Sequence, residues 1–240
     1  MINPKLLKSL WCCLFILISA KLLLAQEIER KINLSDFDQI SVSSGIKIYL
    51  THAEEEKILL KGDVEVLDKI IVNKKSSMIE LKFDNKNSYT NWVWKKNQVV
   101  KAYISFKALN KLIASGGSDI ISQNNFKLND LSIISSGGSN VNLDLSANYL
   151  KVVASGGSDI YLNGKADKFD ITASGGSDIK AFGLIVEDIN VVTSGGSDVK
   201  LYAEKSIKAV ASGASDIKYK GNASKRNTSS SGAASINKVN

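Results

Sequence analysis

The chain has 240 residues, 44% of them hydrophobic and 23% charged, with a formal net charge of +7. The ordinary apolar fraction excludes a disordered chain. The single histidine, His52, excludes a multi-histidine metal centre, and any Ser-His or Cys-His catalysis would have to run through that one residue.

The first 25 residues read as an export signal. Lys5 and Lys8 precede an apolar run from Leu10 to Ala20, and Lys21 and Leu22-Leu23-Leu24-Ala25 lead to a cut after Ala25. A membrane anchor is the competing reading, but the unbroken run is shorter than the ~18–20 residues a span needs. Removing this segment takes away Pro4, Cys12 and Cys13, so the mature chain has no disulfide to form. It also takes three lysines, so 31 basic residues become 28 against 24 acidic, a net of +4. Arg30 and Arg226 are the only arginines and the lysines are scattered, which is not the basic stripe of a nucleic-acid binder. No transmembrane span is expected in the mature chain, and nothing calls for a cofactor.

Residues 26–112 read as a succession of strands. Phe37, Ile40 and Val42, then Ser44-Gly45, then Ile46, Ile48 and Leu50 predict a strand, a tight turn and a second strand. Ile58-Leu60, Leu67-Ile70-Val72, Ile79-Leu81-Phe83 and Val99 to Phe106 continue the pattern. Glu54-Glu55-Glu56 reads as a solvated turn, with His52 beside it as an exposed turn residue rather than a base or ligand. Tyr89, Trp92 and Trp94 stand in an Asn-rich segment beside Lys95 and Lys96. Two readings hold for them: packing against the body of the protein, or contact with a sugar ring or a protein.

A repeat fills 113–222. Ser-Gly-Gly-Ser-Asp begins at Ser115, Ser155, Ser174 and Ser194. Variants begin at Ser136 and Ser212, and a decayed copy at Ser231, with steps of 21, 19, 19, 20, 18 and 19 residues. An Ile or Val follows each Asp or Asn, and a second alternating run closes each period, as in Leu150-Val152-Ala154. Period-2 alternation with no helical stretch predicts two or three short strands per repeat. Each repeat is then one coil of a solenoid. The expected fold is all-β, a right-handed parallel β-helix with coils of about 19 residues, which the early strands cap or extend. The first glycine of the motif is invariant between copies and is expected at positive φ, whereas the second gives way to Ala214 and Ala233 and need only be small.

Stacking such coils would place Asp119, Asn140, Asp159, Asp178, Asp198 and Asp216 in one ladder. Carboxylates ~4.8 Å apart repel by roughly 0.9 kcal/mol in bulk water. Lys180, Lys200 and Lys218, two residues further on, and Asn140 within the ladder are the expected offsets. The five aspartates Asp119, Asp159, Asp178, Asp198 and Asp216 are weak candidates for a cation site, against a structural role in the turns. Residues 223–240 are polar at the inward slots Arg226, Thr228 and Ser230, and read as a cap or tail.

The order Phe37, Ile40-x-Val42, Gly45-Ile46-Lys47-Ile48-x-Leu50, Ile79-x-Leu81, Tyr103-Ile104-x-Phe106-x-x-Leu109-x-x-Leu112, then tandem Ser-Gly-Gly-Ser-Asp turns, resembles the auto-transporter adhesin, head GIN domain family of exported bacterial proteins. The likeness covers roughly 35–222. It departs at Lys107, where such domains often carry proline. The resemblance implies a β-helix similar to pectin-lyase-like proteins without their catalytic residues, and adhesion as the suggested role. No catalytic residue is carried over. The expected function is therefore non-enzymatic binding at the cell envelope, in the periplasm, at the outer membrane or outside, with a glycan or envelope protein as partner. A polysaccharide-acting enzyme and a purely structural envelope protein are the alternatives.

Overall fold

The structure is a computed structural model and describes residues 28–84 and 99–240. The expected export signal and Tyr89, Trp92 and Trp94 lie outside the described residues. In chain order the first half supplies β1 (Ile28–Ile32), β2 (Gln39–Val42), β3 (Lys47–His52), β4 (Lys57–Gly62), the one-turn helix α1 (Val64–Leu67), β5 (Ile70–Lys75), β6 (Met78–Phe83) and β7 (Lys101–Phe106). The repeats supply β8 (Lys111–Ala114), β9 (Asp119–Ser122), β10 (Phe126–Ser135), β11 (Asn140–Ala154), β12 (Asp159–Ala173), β13 (Asp178–Thr193), β14 (Asp198–Ala211) and β15 (Asp216–Lys220). β16 (Lys225–Ser230) and β17 (Ser235–Lys238) follow.

Parallel strands about 19 residues apart stack into a β-solenoid of about seven turns. Each coil has a leading wall after its Ser-Gly turn and a trailing wall before the next one. In the leading wall Val141 pairs with Ile160, Ile160 with Ile179, Ile179 with Val199 and Val199 with Ile217. In the trailing wall Leu150, Phe169, Ile189 and Ile207 stack in the same way. All of these are at most 1% exposed, so the interior is a set of apolar ladders. Burying each such side chain stabilises by roughly 1.5–3 kcal/mol, and the described residues contain no cysteine.

The two walls are not separate short strands. β11 to β14 each run 14–16 residues through the corner between the walls. The differences in repeat length are absorbed there as register shifts, between Tyr161 and Asn163, Ala181 and Ile185, and Val186 and Asp188, rather than in loops. A bulge takes up an extra residue while the rest of the ladder keeps its hydrogen bonds.

The turns are held from inside. The second serine of each motif, as in Ser118, Ser139, Ser158, Ser177, Ser197 and Ser215, is fully buried. Ser118, Ser177, Ser197 and Ser215 donate their hydroxyls to the carbonyl three residues back, at 2.7–3.0 Å. The first glycine has positive φ in every copy, from 59° at Gly116 to 77° at Gly213. The second glycine corrects the expectation. Gly117 and Gly138 are also left-handed, at 76°, whereas Gly157, Gly176 and Gly196 are not. The turn peptide is flipped between these groups: Gly117 donates forward to the Gly137 carbonyl, while Gly176 and Gly196 donate back to Gly156 and Gly175.

The first half is threaded out of order. β2 pairs with both β6 and β8, and β3 with both β7 and β9, all parallel. The coil β2–β3 is therefore built first and then sandwiched between β6–β7 and β8–β9. Its turn, Ser43-Ser44-Gly45-Ile46, has φ of 67° at Ser44 and 73° at Gly45, and stacks on Gly116. It is an earlier, decayed copy of the repeat. Antiparallel strands then close the end of the stack: β4 on β7, β1 on β4 and β5 on β6. At the other end β16 pairs with β14 and β17 with β15, and Ile236 stacks in register on Ile217.

Candidate functional site

The ladder of acidic turns forms as the repeat requires, with Asp119, Asn140, Asp159, Asp178, Asp198 and Asp216 in successive register. Its charges are partly matched within the ladder itself. Asn140 Nδ2 donates to Asp119 Oδ1 at 2.8 Å. Lys180 Nζ lies 3.4 Å from Asp159 and 3.5 Å from Asp178. It also donates to the Tyr161 hydroxyl at 2.8 Å and sits 4.6 Å from that ring's centre. The Tyr161 hydrogen bond and the Asp159 carboxylate hold the Lys180 ammonium above the usual lysine range. Asp216 accepts from Ser235 Oγ at 2.6 Å. Among the described residues, no three acids, histidines or cysteines gather as a metal cluster.

His52 is built into the frame. Its ring stacks on Phe106, centroids 5.3 Å apart and planes at 4°. The Lys127 amide donates to Nδ1 at 3.2 Å, which leaves Nε2 to donate to the Lys107 carbonyl, also at 3.2 Å. The residue is half-buried and ties three segments together, rather than standing exposed in a turn.

Among the described residues, two adjoining clefts lie elsewhere, on the corner opposite the Ser-Gly turns. One cleft of about 430 Å³ is lined by Lys127 to Asn129, Ser146 to Asn148 and Lys165 to Asp167. A second, of about 390 Å³, shares Lys127 to Asn129 and continues over Asp38 and Lys107 to Asn110. Together they form a groove along the solenoid axis. Its composition follows from the stacking: Lys127, Ser146 and Lys165 are register partners, as are Leu128, Ala147 and Ala166. The small alanines make the floor low. Asn148 Nδ2 donates to Asn129 Oδ1 at 3.4 Å along one rim. At the far end Asp38 Oδ2 accepts from Asn110 at 2.6 Å, while Asp38 Oδ1 is buried without a hydrogen-bond donor among the described residues.

Sequence reasoning missed this groove. Its signal was the repeat corner itself, where Ala147 and Ala166 follow Leu128 in register and shrink the wall while Lys and Asn flank it. A floor that is lowered in consecutive coils becomes a channel once the coils stack. Polar side chains recur along its rims coil by coil, as Lys127, Ser146 and Lys165 on one side and Asn129, Asn148 and Asp167 on the other.

The family described as "Putative auto-transporter adhesin, head GIN domain" matches residues 36–223. Among solved structures, a "putative adhesin" from Bacteroides fragilis NCTC 9343 aligns with a TM-score of 0.81 at 24% identity, covering 89% of this chain and 97% of its own. A "putative adhesin" from Parabacteroides merdae ATCC 43184 aligns at 0.66 and 20% identity, over 90% and 97% of the two chains. A "putative lipid binding protein" from Parabacteroides distasonis ATCC 8503 aligns at 0.64 and 20%, with the same coverage. No curated protein matches the chain.

Proposed function

Because the chain belongs to the head GIN domain family, we propose that it is an exported, non-catalytic binding protein of the cell envelope that holds an extended glycan along its corner groove. The observation that carries this reading is the groove's continuity across successive coils, from Lys107 to Asp167, over a floor of Leu128, Ala147 and Ala166. A linear polymer presents hydroxyls at regular intervals, and a solenoid presents the same donors and acceptors at the coil spacing of ~4.8 Å. Asn129, Asn148, Lys127 and Lys165 supply the hydrogen bonds. The adhesin descriptions of the structural relatives support surface binding as the role.

A polysaccharide-acting enzyme is the second reading, and Asp38 with Asp130 in one cleft is the observation in its favour. Lipid binding, suggested by the Parabacteroides distasonis relative, fits the interior poorly. The ladders fill it, so a lipid would have to lie on the outside.

A glycan array probed with the chain from residue 26 tests the proposal. Binding to linear glycans is expected, and Asn129→Ala with Asn148→Ala should weaken it about ten-fold or more. Binding untouched by these changes would place the ligand elsewhere. Release of new reducing ends from a bound glycan, abolished by Asp130→Asn, would establish the enzyme reading instead.

A further inference from the structure

The leading wall is one continuous sheet in the spatial order β1, β4, β7, β3, β9, β11, β12, β13, β14, β15 and β17, so β11 is its middle strand. Two columns of side chains point outwards from it: the acidic ladder, and a second column two residues away on each strand. No member of either column is buried.

The chemistry of this face changes at β11. On the β9 side the ladder column passes from Asp119 to Lys47, Lys101 and Lys61. The second column there is Ile121, Tyr49, Tyr103 and Leu59. On the β12 side the ladder column is Asp159, Asp178, Asp198 and Asp216. Beside it stand Tyr161, Lys180, Lys200 and Lys218. The aromatic half is ordered: the Tyr49 and Tyr103 rings stack with centroids 4.9 Å apart, and Lys47 and Lys61 lie 5.9 and 5.3 Å from the two ring centres. In the acidic half Lys180 is engaged by Asp159 and Asp178, whereas the side chains of Asp198, Lys200 and Lys218 have no hydrogen bond or ion pair among the described residues.

We propose that this wall binds the same wall of a second copy, about a two-fold axis that runs along β11. Such an axis lays each column on itself in reverse order. Lys47 then faces Asp178 of the second copy, Lys101 faces Asp198, and Lys61 faces Asp216. The stems of Lys180, Lys200 and Lys218 lie over Tyr49, Tyr103 and Leu59, and Tyr161 meets Ile121. Asn140 and Asn142 fall on the axis, where a residue meets its own copy and a charge would face a like charge. Asp119 with Asp159 is the one like-charged pair in this register, and each is already engaged, by Asn140 and by Lys180. At ~4.8 Å per strand and ~7 Å per column the face measures roughly 700 Å², against ~800 Å² per partner in a standard interface. Its charged, half-exposed character makes the pair weak and salt-sensitive. The wall is separate from the corner groove, so the pair does not depend on the glycan reading.

Sedimentation velocity of the chain from residue 26, from low to high micromolar concentration, tests the pairing. A reversible dimer is expected at the upper end, dispersed by added salt. Asp198→Lys should weaken it about ten-fold or more, by setting Lys101 against a like charge. The same change relieves repulsion between Asp178 and Asp216 in its own ladder, so the melting temperature should not fall. Adding Lys101→Asp should restore the dimer. Residues 26–240 contain no cysteine, so Asn142→Cys can be joined to its copy by a short bismaleimide. Lys218→Cys should not be joined, because its two copies would lie roughly 38 Å apart. A chain that stays monomeric throughout, Asp198→Lys that pairs as the parent does, a double variant that stays monomeric, or equal cross-linking at both cysteines would overturn the proposal.

Discussion

The backbone of Gly156 passes so close to Gly137 that a Cβ on Gly156 would meet the Gly137 nitrogen at 3.0 Å. Gly156 also has φ of 71°, whereas its neighbour Gly157 has neither a left-handed φ nor any atom within 4 Å of where a Cβ would stand. Gly156→Val should therefore cost about 2 kcal/mol or more, and Gly157→Ala less than about 0.5 kcal/mol. Gly138 occupies the same motif position as Gly157 but at φ of 76° with open space, so Gly138→Ala should cost about 1 kcal/mol from backbone strain alone. Thermal melts of the three variants check the order; equal losses at Gly138 and Gly157 would contradict the two turn types.

Asn140 separates Asp119 from Asp159 and donates to the former. Asn140→Asp removes that donor and makes the ladder an unbroken row of six carboxylates, from Asp119 to Asp216. A loss of about 1–2 kcal/mol is expected at neutral pH. The sign with pH follows from repulsion, which raises carboxyl pKa values in the folded state above their unfolded values. The penalty is full above the raised folded pKa and disappears below the unfolded one. Melting curves of the variant should converge on the parent as the solution is acidified, and also with added salt.

Lys180 bridges Asp159 and Asp178 and is raised first by its bond to Tyr161. A lysine whose folded pKa is raised contributes stability that is complete below its unfolded pKa and is lost as pH climbs through the folded one. Lys180→Met should thus destabilise by about 0.5–1 kcal/mol at neutral pH, the half-exposed geometry keeping the effect small. The difference from the parent should shrink at strongly alkaline pH, measured by denaturant titration.

Calcium should be dispensable for folding. Asn140, Lys180 and Ser235 already satisfy ladder aspartates that a cation would otherwise neutralise. Melting in chelator is expected to match melting in millimolar calcium. A ligand bound only by the native state would raise the melting temperature with its concentration, so a rise of several degrees would make the aspartates Asp119, Asp159, Asp178, Asp198 and Asp216 a cation site after all.

Deleting 223–240 should leave a folded but sticky molecule. β16 and β17 cover the last backbone edges of β14 and β15, and every residue of β16 is exposed. Their polar, cationic faces oppose further stacking, as lysines do on natural edge strands. Without them the edges of β14 and β15 are open to pairing with another copy. Sedimentation velocity should show self-association of the truncated chain; a monomer with unchanged melting would reduce the segment to a tail.

The repeat, and with it the coil, was legible in the amino-acid sequence by itself. The return of Ser-Gly every 18–21 residues marks the turns, and alternation around Val141, Ile160, Ile179 and Val199 marks the inward faces. Both are local properties: a left-handed φ favours glycine, and a pleated strand points alternate residues to opposite sides. The acidic ladder follows at once, because equal periods must stack equal positions. Only the tertiary structure decided what depends on choices between distant partners. The sandwiching of β2–β3 between β6–β7 and β8–β9 rests on which edges find cover, and Ser43-Ser44-Gly45-Ile46 has lost too much of the motif to announce its place. The flip of the turn peptide at Gly117 and Gly138 is set by the neighbouring turn, with the same two letters in the sequence as at Gly156-Gly157. The corner groove belongs to the same class. Ala147 and Ala166 lie in successive repeats, and become the floor of one space only after the coils have stacked.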